Sequence, residues 1–200
     1  MKKYKCTGKH AIKTEVENWL PFAQLITVEF DNLSFKMKGI WSKDSVMVVP
    51  FKYINGVRHV GIIKEQRPLF CGDKWLAGFP AGKIEDEQTP EEAAKIEVLQ
   101  EAGLTIKKII FVGEDIPFLH ICSEHIFLFV AEVEDGENPQ QLESGEWIDS
   151  KISWIPWDEF KVRIIRQQRQ GIPVLKDAPM MGVSLNVANK ILAIRIDEWK

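Results

Sequence analysis

The sequence predicts an α/β protein, an α/β/α sandwich around a mixed β-sheet, with an N-terminal β-hairpin appendage and C-terminal helices. Three observations support this prediction. Segments rich in β-forming residues recur from Ser45 onward, a central segment carries helix start and stop signals, and two helical segments follow the last strand. This order is typical of a sheet with helices on both faces. The 200 residues, 45% of them apolar, can bury one substantial core.

Residues 1–43 are expected to form the N-terminal β appendage. Residues 24–30 and 34–41 have strand-like composition, and Asp31 and Asn32 between them supply a turn, so together they predict a β-hairpin. A short apolar segment at residues 19–22 precedes the hairpin. One interpretation is that the hairpin simply covers the main domain of a monomer.

Residues 44–200 are expected to form the main domain, including the C-terminal helices. Asn55-Gly56 is a strong two-residue hairpin signal. Residues 125–134 are apolar almost throughout, which predicts a strand that is buried on both faces. Helices are predicted at 157–170 and 184–199. The predicted strands are 46–53, 58–66, 75–84 (which ends in a turn), 105–114, 125–134 and 152–155.

The central helix has recognisable ends. Thr89 or Gln88 can cap its start, Pro90 suits its first turn, and Gly103 lies where a helix normally stops. We therefore expect a helix from about residue 90 to residue 102, with Ala94, Val98 and Ala102 forming an apolar stripe that packs against the core.

Glu97 and Glu101 lie one turn apart on this helix and therefore share one face. Two like charges at this spacing destabilise a helix by a few tenths of a kcal/mol. A hard cation such as Mg²⁺, held by the two carboxylates and by substrate phosphates, would offset that repulsion. The alternative is a solvated acidic face without a ligand.

The segment from 81 to 104 resembles the Nudix box, a glycine-containing loop followed by a helix with spaced glutamates. The residues that match the box are Gly82, Glu97, Val98, Glu101, Gly103 and Leu104. The preceding residues, Phe79-Pro80-Ala81-Gly82-Lys83-Ile84-Glu85, resemble the corresponding segment of ADP-ribose pyrophosphatases, and Gln66-Arg67-Pro68 resembles another segment of the same branch. The resemblance implies the Nudix fold.

Three positions depart from the box. Gln88 stands where the first glutamate belongs, Ile96 replaces an arginine, and Gln100 replaces the first glutamate of a pair. In the family, the first glutamate and the arginine are thought to brace the loop against the helix. Because both partners are replaced here, an alternative brace is expected instead of a broken ion pair. Gln100 keeps an oxygen ligand and removes one charge, a change that is expected to lower the metal affinity about 10- to 100-fold.

The resemblance implies a Mg²⁺-dependent or Mn²⁺-dependent hydrolase of a nucleoside diphosphate linked to another group, of the ADP-ribose or nucleotide-sugar pyrophosphatase type. It implies metal contacts by the Ala81 carbonyl, Glu97 and Glu101, with Gln100 as a further ligand. The three departures motivate an alternative: a catalytically impaired Nudix domain that binds a nucleotide as a sensor or scaffold.

A general base is also needed, and in this branch it usually comes from an acidic loop. Glu146 is the first candidate and Glu124, which precedes the buried strand, is the second; Glu143 ranks third. Each of these glutamates has the alternative of being a solvated loop acid.

Three further residues are predicted to contact the substrate. Arg67 can bind a phosphate through its fork of donors. Glu85 is a candidate accessory metal contact or a carboxylate of the pyrophosphate site, and Gly82 stands at the glycine position of the box.

Composition limits the partners. A net charge of −3 without a dense basic patch argues against a nucleic-acid surface. The longest apolar run, 126–131, is far shorter than the roughly 20 residues of a membrane span, and the start of the sequence lacks the apolar segment of a signal peptide. Scattered Cys6, Cys71 and Cys122 indicate reduced thiols. We expect a cytoplasmic protein that acts on a small nucleotide and, by resemblance, forms a homodimer through its N-terminal sheet.

Overall fold

The computed structural model describes residues 11–20, 22–66, 74–116, 121–135, 148, 152–168, 174–175, 178–180 and 182–193. In these ranges, none of the helices combines the length and hydrophobicity that crossing a membrane requires.

The N-terminal part is a three-stranded antiparallel sheet in the order β1 (Ala11–Leu20), β2 (Ala23–Phe30) and β3 (Met37–Ser42). The hairpin predicted from the sequence is confirmed as β2 and β3. Strand β1 was not predicted from the sequence. It carries Lys13, Glu15 and Glu17 with exposed side chains, so it lacks the apolar alternation by which a half-buried strand is recognised.

The main sheet is mixed. Its described strands have the order β10-β5-β4-β9-β8, with β6 paired to β5 and β7 paired to β4. Strands β4 and β9 are parallel, and the other pairs are antiparallel. The bounds are β4 (Ser45–Ile54), β5 (Val57–Gln66), β6 (Trp75–Gly78), β7 (Ala81–Lys83), β8 (Leu104–Asp115), β9 (Ile126–Asp135) and β10 (Ser153–Pro156).

The turn between β4 and β5 matches its sequence signal. Asn55 has φ 50° and Gly56 has φ 75°, the two positive values that a primed hairpin turn requires. The segment at 75–84, expected to be one strand and a turn, is two short strands instead. Phe79 and Pro80 separate β6 from β7, and the two strands pair with different neighbours.

Helices cover both faces of the main sheet, which confirms the predicted sandwich. The helix α1 (Pro90–Ala102) packs on one face, where its Ala94 and Val98 meet Val46 and Val48 of β4. The helices α2 (Trp157–Gln168) and α3 (Gly182–Ala193) pack on the other, where Phe160 joins the second core. A two-stranded sheet of β11 (Val174–Leu175) and β12 (Ala178–Pro179) lies between α2 and α3 in the sequence.

Strand β9 is buried on both faces, as its continuous apolar sequence predicts. Leu128 and Val130 belong to the core under α2 and α3, whereas Phe129 and Ala131 belong to the core under α1. Because successive residues of a strand point to opposite faces, β9 separates the two cores and supplies both.

The two sheets are joined by backbone hydrogen bonds. Ile40 N donates to Ile121 O at 2.6 Å, and Ser123 N donates to Ile40 O at 3.0 Å. These bonds make a parallel bridge between Ile40 and Cys122. The segment that leads into β9 is therefore attached to the edge of β3 through one isolated bridge. Cys122 is a free thiol; Cys6 and Cys71 lie outside the described residues.

The ends of α1 agree with the sequence prediction. Thr89 is the N-cap: its Oγ1 accepts a bond from Glu92 N, while Thr89 N donates to the Glu92 carboxylate at 2.8 Å, which completes a capping box. Pro90 is the first helical residue. Gly103 ends the helix with a left-handed φ of 63°.

We predict that Thr89→Ala lowers the free energy of unfolding by about 1 kcal/mol, because the cap loses its hydroxyl acceptor and its hydroxyl donor to Glu92. Thr89→Ser is the matched control, since it keeps the hydroxyl and should stay within about 0.5 kcal/mol of wild type. Urea denaturation at pH 7 measures both. Equal midpoints for Thr89→Ala and wild type would contradict the assignment of this cap.

The same cap predicts a pH dependence. The bond from Thr89 N, reinforced by the Thr89 hydroxyl, lowers the pKa of Glu92 below its ordinary 4.5. A depressed carboxyl pKa contributes stability that is present above the unfolded-state pKa and is lost as the pH falls through the folded-state pKa. The stability difference between wild type and Glu92→Gln should therefore shrink as the pH falls from about 4.5. A difference that does not change with pH would contradict the role of Glu92.

Candidate active site

The helix α1 brings both of its spaced carboxylates against the short strand β7. Glu101 is only 6% exposed, and its Oε2 accepts a hydrogen bond from Ala81 N at 2.9 Å. A buried carboxylate needs such a donor, because burying it without a partner is costly. Glu97, one turn earlier, is half-buried. Sequence analysis predicted that these two residues share one face, and the helix has the predicted bounds.

The carbonyl group of Ala81 faces the same side of β7 as Glu101. In an antiparallel pair the N–H and C=O of one residue point in the same direction, and this direction alternates along the strand. Pro80 O accepts from Val48 N, and Ile84 N donates to Asp44 O, so these residues face β4. Ala81 therefore directs both of its backbone groups away from β4, towards the edge at which Glu101 binds its N–H.

Gly82 lies directly beneath the Glu97 carboxylate. A Cβ built on Gly82 would overlap all three atoms of that carboxylate, closer than real Cβ atoms approach a neighbour. The glycine is thus needed for close approach and not for a special backbone angle, since its φ is not among the positive values. Gly82 lets the helix set Glu97 against the strand.

These residues fit a divalent metal. Carboxylate and backbone carbonyl oxygens are the ligands that hard cations such as Mg²⁺ prefer. Glu97, Glu101 and the Ala81 carbonyl converge on one edge, and Gln100 is half-buried on the same helix. Within the described ranges, no group of three or more His, Cys, Asp and Glu side chains could hold a metal by itself. At this edge the described part of the chain offers two carboxylates, and backbone, amide, water or substrate oxygens would supply the remaining ligands.

Glu124 approaches β7 from the other face. Its Oε1 accepts a bond from Ser45 Oγ at 2.6 Å and pairs with Lys83 Nζ at 2.7 Å. Lys83 and Gly82 are neighbours in a strand, so the Lys83 side chain points away from the face that meets Glu97. The open edge of β7 is thus bordered by Glu97 and Glu101 on one side and by the Lys83–Glu124 pair on the other.

Glu85 is engaged in an ion pair at the surface. Lys43 Nζ lies 2.6 Å from Glu85 Oε2 and 3.2 Å from Asp86 Oδ1. The hydrogen bond to Glu85, helped by Asp86, raises the pKa of Lys43 above its ordinary value. Because the Lys43 side chain is mostly covered, this pair fastens the loop after β7 to the end of β3. The predicted role of Glu85 at the metal or pyrophosphate stays a prediction.

The positions that depart from the box have distinct environments. Gln88 Oε1 accepts from Glu85 N at 3.1 Å, so this side chain braces the loop onto itself. Ile96 is 39% exposed and therefore does not replace the missing arginine by buried packing. The capping box of Thr89 and Glu92 fastens the loop to the helix in this chain.

Three site residues from the sequence analysis, Arg67, Glu143 and Glu146, lie outside the described residues. The roles of Lys83 and Ser45, which contact Glu124, and of Ser42, which contacts Lys83, were not predicted from the sequence. The position of Lys83 inside the 79–85 motif was an available signal. Ser42 and Ser45 carried no such sequence signal, because their contacts join segments that are distant in sequence.

Comparisons with known proteins agree with this fold. A sequence model of the NUDIX domain matches residues 48–175. An 8-oxo-dGTP diphosphatase from Proteus vulgaris is 36% identical over 69 residues, which are 32% of this chain and 60% of that protein. The chain thus spans about three fifths of the length of that relative. A solved structure of an ADP compounds hydrolase superposes with a TM-score of 0.65, covering 98% of this chain and 96% of that one. At 16% identity this likeness concerns the fold alone.

The family match includes β7, the loop at 84–89 and all of α1, which carry the carboxylates and the glycine described above. It also covers more than half of the chain, and this chain therefore belongs to the NUDIX domain family.

Proposed function

We propose that the protein is a divalent-metal-dependent hydrolase that cuts a nucleoside diphosphate linked to another group, of the ADP-ribose or nucleotide-sugar type, into two monophosphates. The observation that carries this proposal is the edge of β7, where Glu97 lies over Gly82 and Glu101 binds Ala81 N. An acidic edge of this kind suits a substrate that is a metal-bound diphosphate, since the bare dianion would be repelled.

Each residue has a defined task in this proposal. Glu97, Glu101 and the Ala81 carbonyl would hold Mg²⁺ or Mn²⁺, and Gln100 would add an amide oxygen. When bound, the metal neutralises charge on the diphosphate and polarises the attacking water. Gly82 keeps β7 close enough to Glu97 for this geometry. Glu124, with one carboxylate oxygen held by Ser45 and Lys83, takes the proton of the attacking water.

The second candidate is a nucleotide-binding sensor or scaffold with little turnover. It is favoured by Gln100, which replaces an acidic ligand, and by the exposure of Ile96 where the box has an arginine. An enzyme and a sensor would bind the same ligands, so turnover separates the two proposals.

We further propose that the protein acts in the cytoplasm as a homodimer built through its N-terminal sheet. Large apolar side chains are exposed in this region: Ile12 at 62%, Phe35 at 62% and Met37 at 46%. A second copy of the chain would cover them. The cytoplasmic location rests on the scattered cysteines, of which Cys122 is a free thiol.

The first prediction concerns turnover. Purified protein with Mg²⁺ or Mn²⁺ should hydrolyse at least one member of a panel of ADP-ribose, nucleotide sugars, dinucleotides and 8-oxo-dGTP. Glu101→Gln should lower the rate about 100-fold or more, because it removes a direct metal ligand. Glu91→Gln is the matched control: an exposed carboxylate of the same helix, paired only at the surface with Lys95. If the protein binds these ligands but turns over none of them, the hydrolase proposal is wrong and the sensor proposal is favoured.

Alanine substitutions at two glycines should separate an effect on the position of Glu97 from an effect on the stability of the fold. In Gly82→Ala the new Cβ displaces the flexible end of Glu97, so turnover should fall about 10- to 100-fold while the midpoint of thermal unfolding changes little. Gly56→Ala is the reciprocal control. Its Cβ meets no atom within 4 Å, but its φ of +75° is strained for alanine, so stability should fall by about 1 kcal/mol with turnover unchanged. Full turnover in Gly82→Ala would refute the role of Glu97.

The third prediction concerns the dimer. Light scattering at micromolar concentration should give twice the mass of the 23.0 kDa chain. Phe35→Ser should shift the protein towards monomer, whereas Tyr53→Ser, which changes an aromatic side chain that is 52% exposed on the β4–β5 hairpin, should not. A monomer in the wild type would remove the dimer from the proposal.

A further inference from the structure

The carboxylate of Glu124 is held asymmetrically. Both hydrogen-bond donors that the described residues supply to it, Ser45 Oγ at 2.6 Å and Lys83 Nζ at 2.7 Å, bind the same oxygen, Oε1. The Glu124 and Lys83 side chains are 20% and 22% exposed. Neither of these donors contacts the second carboxylate oxygen, Oε2. Among the described residues, both donors therefore anchor one oxygen and leave the other to a further contact.

The Lys83 ammonium is itself fixed. Besides Glu124 it donates to Ser42 Oγ at 2.9 Å and to Lys43 O at 3.1 Å. An ammonium group has three donors, so these three contacts use all of them. Ser42, the last residue of β3, is only 6% exposed. Lys83 is therefore held at a single position between the N-terminal sheet and Glu124.

The backbone before Glu124 is held by the same strand. Ile40 in β3 bonds to Ile121 and to Ser123, the residue that precedes Glu124. Ser42 N donates to Ser123 Oγ at 3.3 Å. On the other side of Glu124, His125 N donates to Asp44 Oδ1 at 2.9 Å. The chain is thus fixed on both sides of Glu124, and Lys83 fixes its side chain.

We infer that Lys83 is a positioning residue of the hydrolysis: with Ser45 it anchors Glu124 by Oε1, so that Oε2 is presented to the attacking water. This inference rests on the proposed function. In the step it serves, the water oxygen forms a bond to phosphorus and one of its protons passes to Glu124 Oε2. The bond from that phosphorus to the bridging oxygen breaks, and the second monophosphate leaves. Glu124 then releases its proton to solvent.

The competing role for Lys83 is direct binding of a substrate phosphate as a cation. The structure favours positioning, because all three ammonium donors are already bound within the protein, and a phosphate contact would have to break one of them. The two roles differ in their kinetics. A positioning residue lowers kcat through Glu124, whereas loss of a phosphate ligand raises KM independently of Glu124.

The test is a double-mutant cycle with Lys83→Met and Glu124→Gln, using the substrate that the turnover panel identifies. Glu124→Gln should lower kcat about 100-fold or more, as expected for a general base. Lys83→Met should lower kcat about tenfold with KM within about twofold of wild type. The double variant should be no slower than Glu124→Gln alone, because Lys83 acts through Glu124.

Two further variants complete the test. Lys83→Arg keeps a cation and should recover most of the loss in kcat. Ser45→Ala removes the other donor to Oε1 and should lower kcat without raising KM, so it replaces Lys83→Met if that variant does not fold. Lys95→Met, which changes an exposed lysine of α1, is the control with unchanged kcat.

The possible outcomes separate this inference from the proposed function. Additive losses in the double variant, or a raised KM in Lys83→Met, would overturn positioning and leave the hydrolase intact. If Glu124→Gln keeps the wild-type kcat while Glu101→Gln is inactive, positioning by Lys83 is also overturned and the hydrolase proposal stands. A wild-type protein without turnover on the whole panel would overturn both.

Discussion

The hydrogen bond from Ala81 N to the Glu101 carboxylate is the contact on which the arrangement of the site depends. It fastens the C-terminal end of the helix α1 to the strand β7. The carboxylate is buried, so it needs hydrogen-bond donors, and a bond to a charged acceptor contributes about 1.5 to 3 kcal/mol. The apolar contacts of Ala94 and Val98 hold the same helix against the sheet. With α1 held in this way, the Glu97 carboxylate lies against Gly82.

This anchoring explains how the box tolerates its departures. The loop before α1 is braced by Gln88 on Glu85 N and by the capping box of Thr89 and Glu92, none of which involves Ile96. The brace lies at the start of the helix, whereas Glu97 and Glu101 are set at its end by β7. The loop and the carboxylates are therefore held by separate contacts, and losing the arginine does not by itself displace the acidic edge.

Local signals made much of the fold predictable from the sequence. The φ values required at Asn55 and Gly56, the caps of α1 and the apolar run of β9 each depend on residues adjacent in sequence. Strand β1 was missed because its side chains are polar and its partner β2 determines its conformation. The pairing of Lys83 with Glu124 and Ser42 was missed for a related reason: these residues are about 40 positions apart, and only the meeting of β3, β7 and the segment before β9 brings them together.

Binding of Mn²⁺, followed by electron paramagnetic resonance, tests the central claim most directly because it does not depend on knowing the substrate. We predict that wild type binds Mn²⁺, that Glu97→Gln and Glu101→Gln each weaken binding about tenfold or more, and that Glu91→Gln leaves it unchanged. If the Glu97→Gln and Glu101→Gln variants bind Mn²⁺ as tightly as wild type, the edge of β7 is not the metal site.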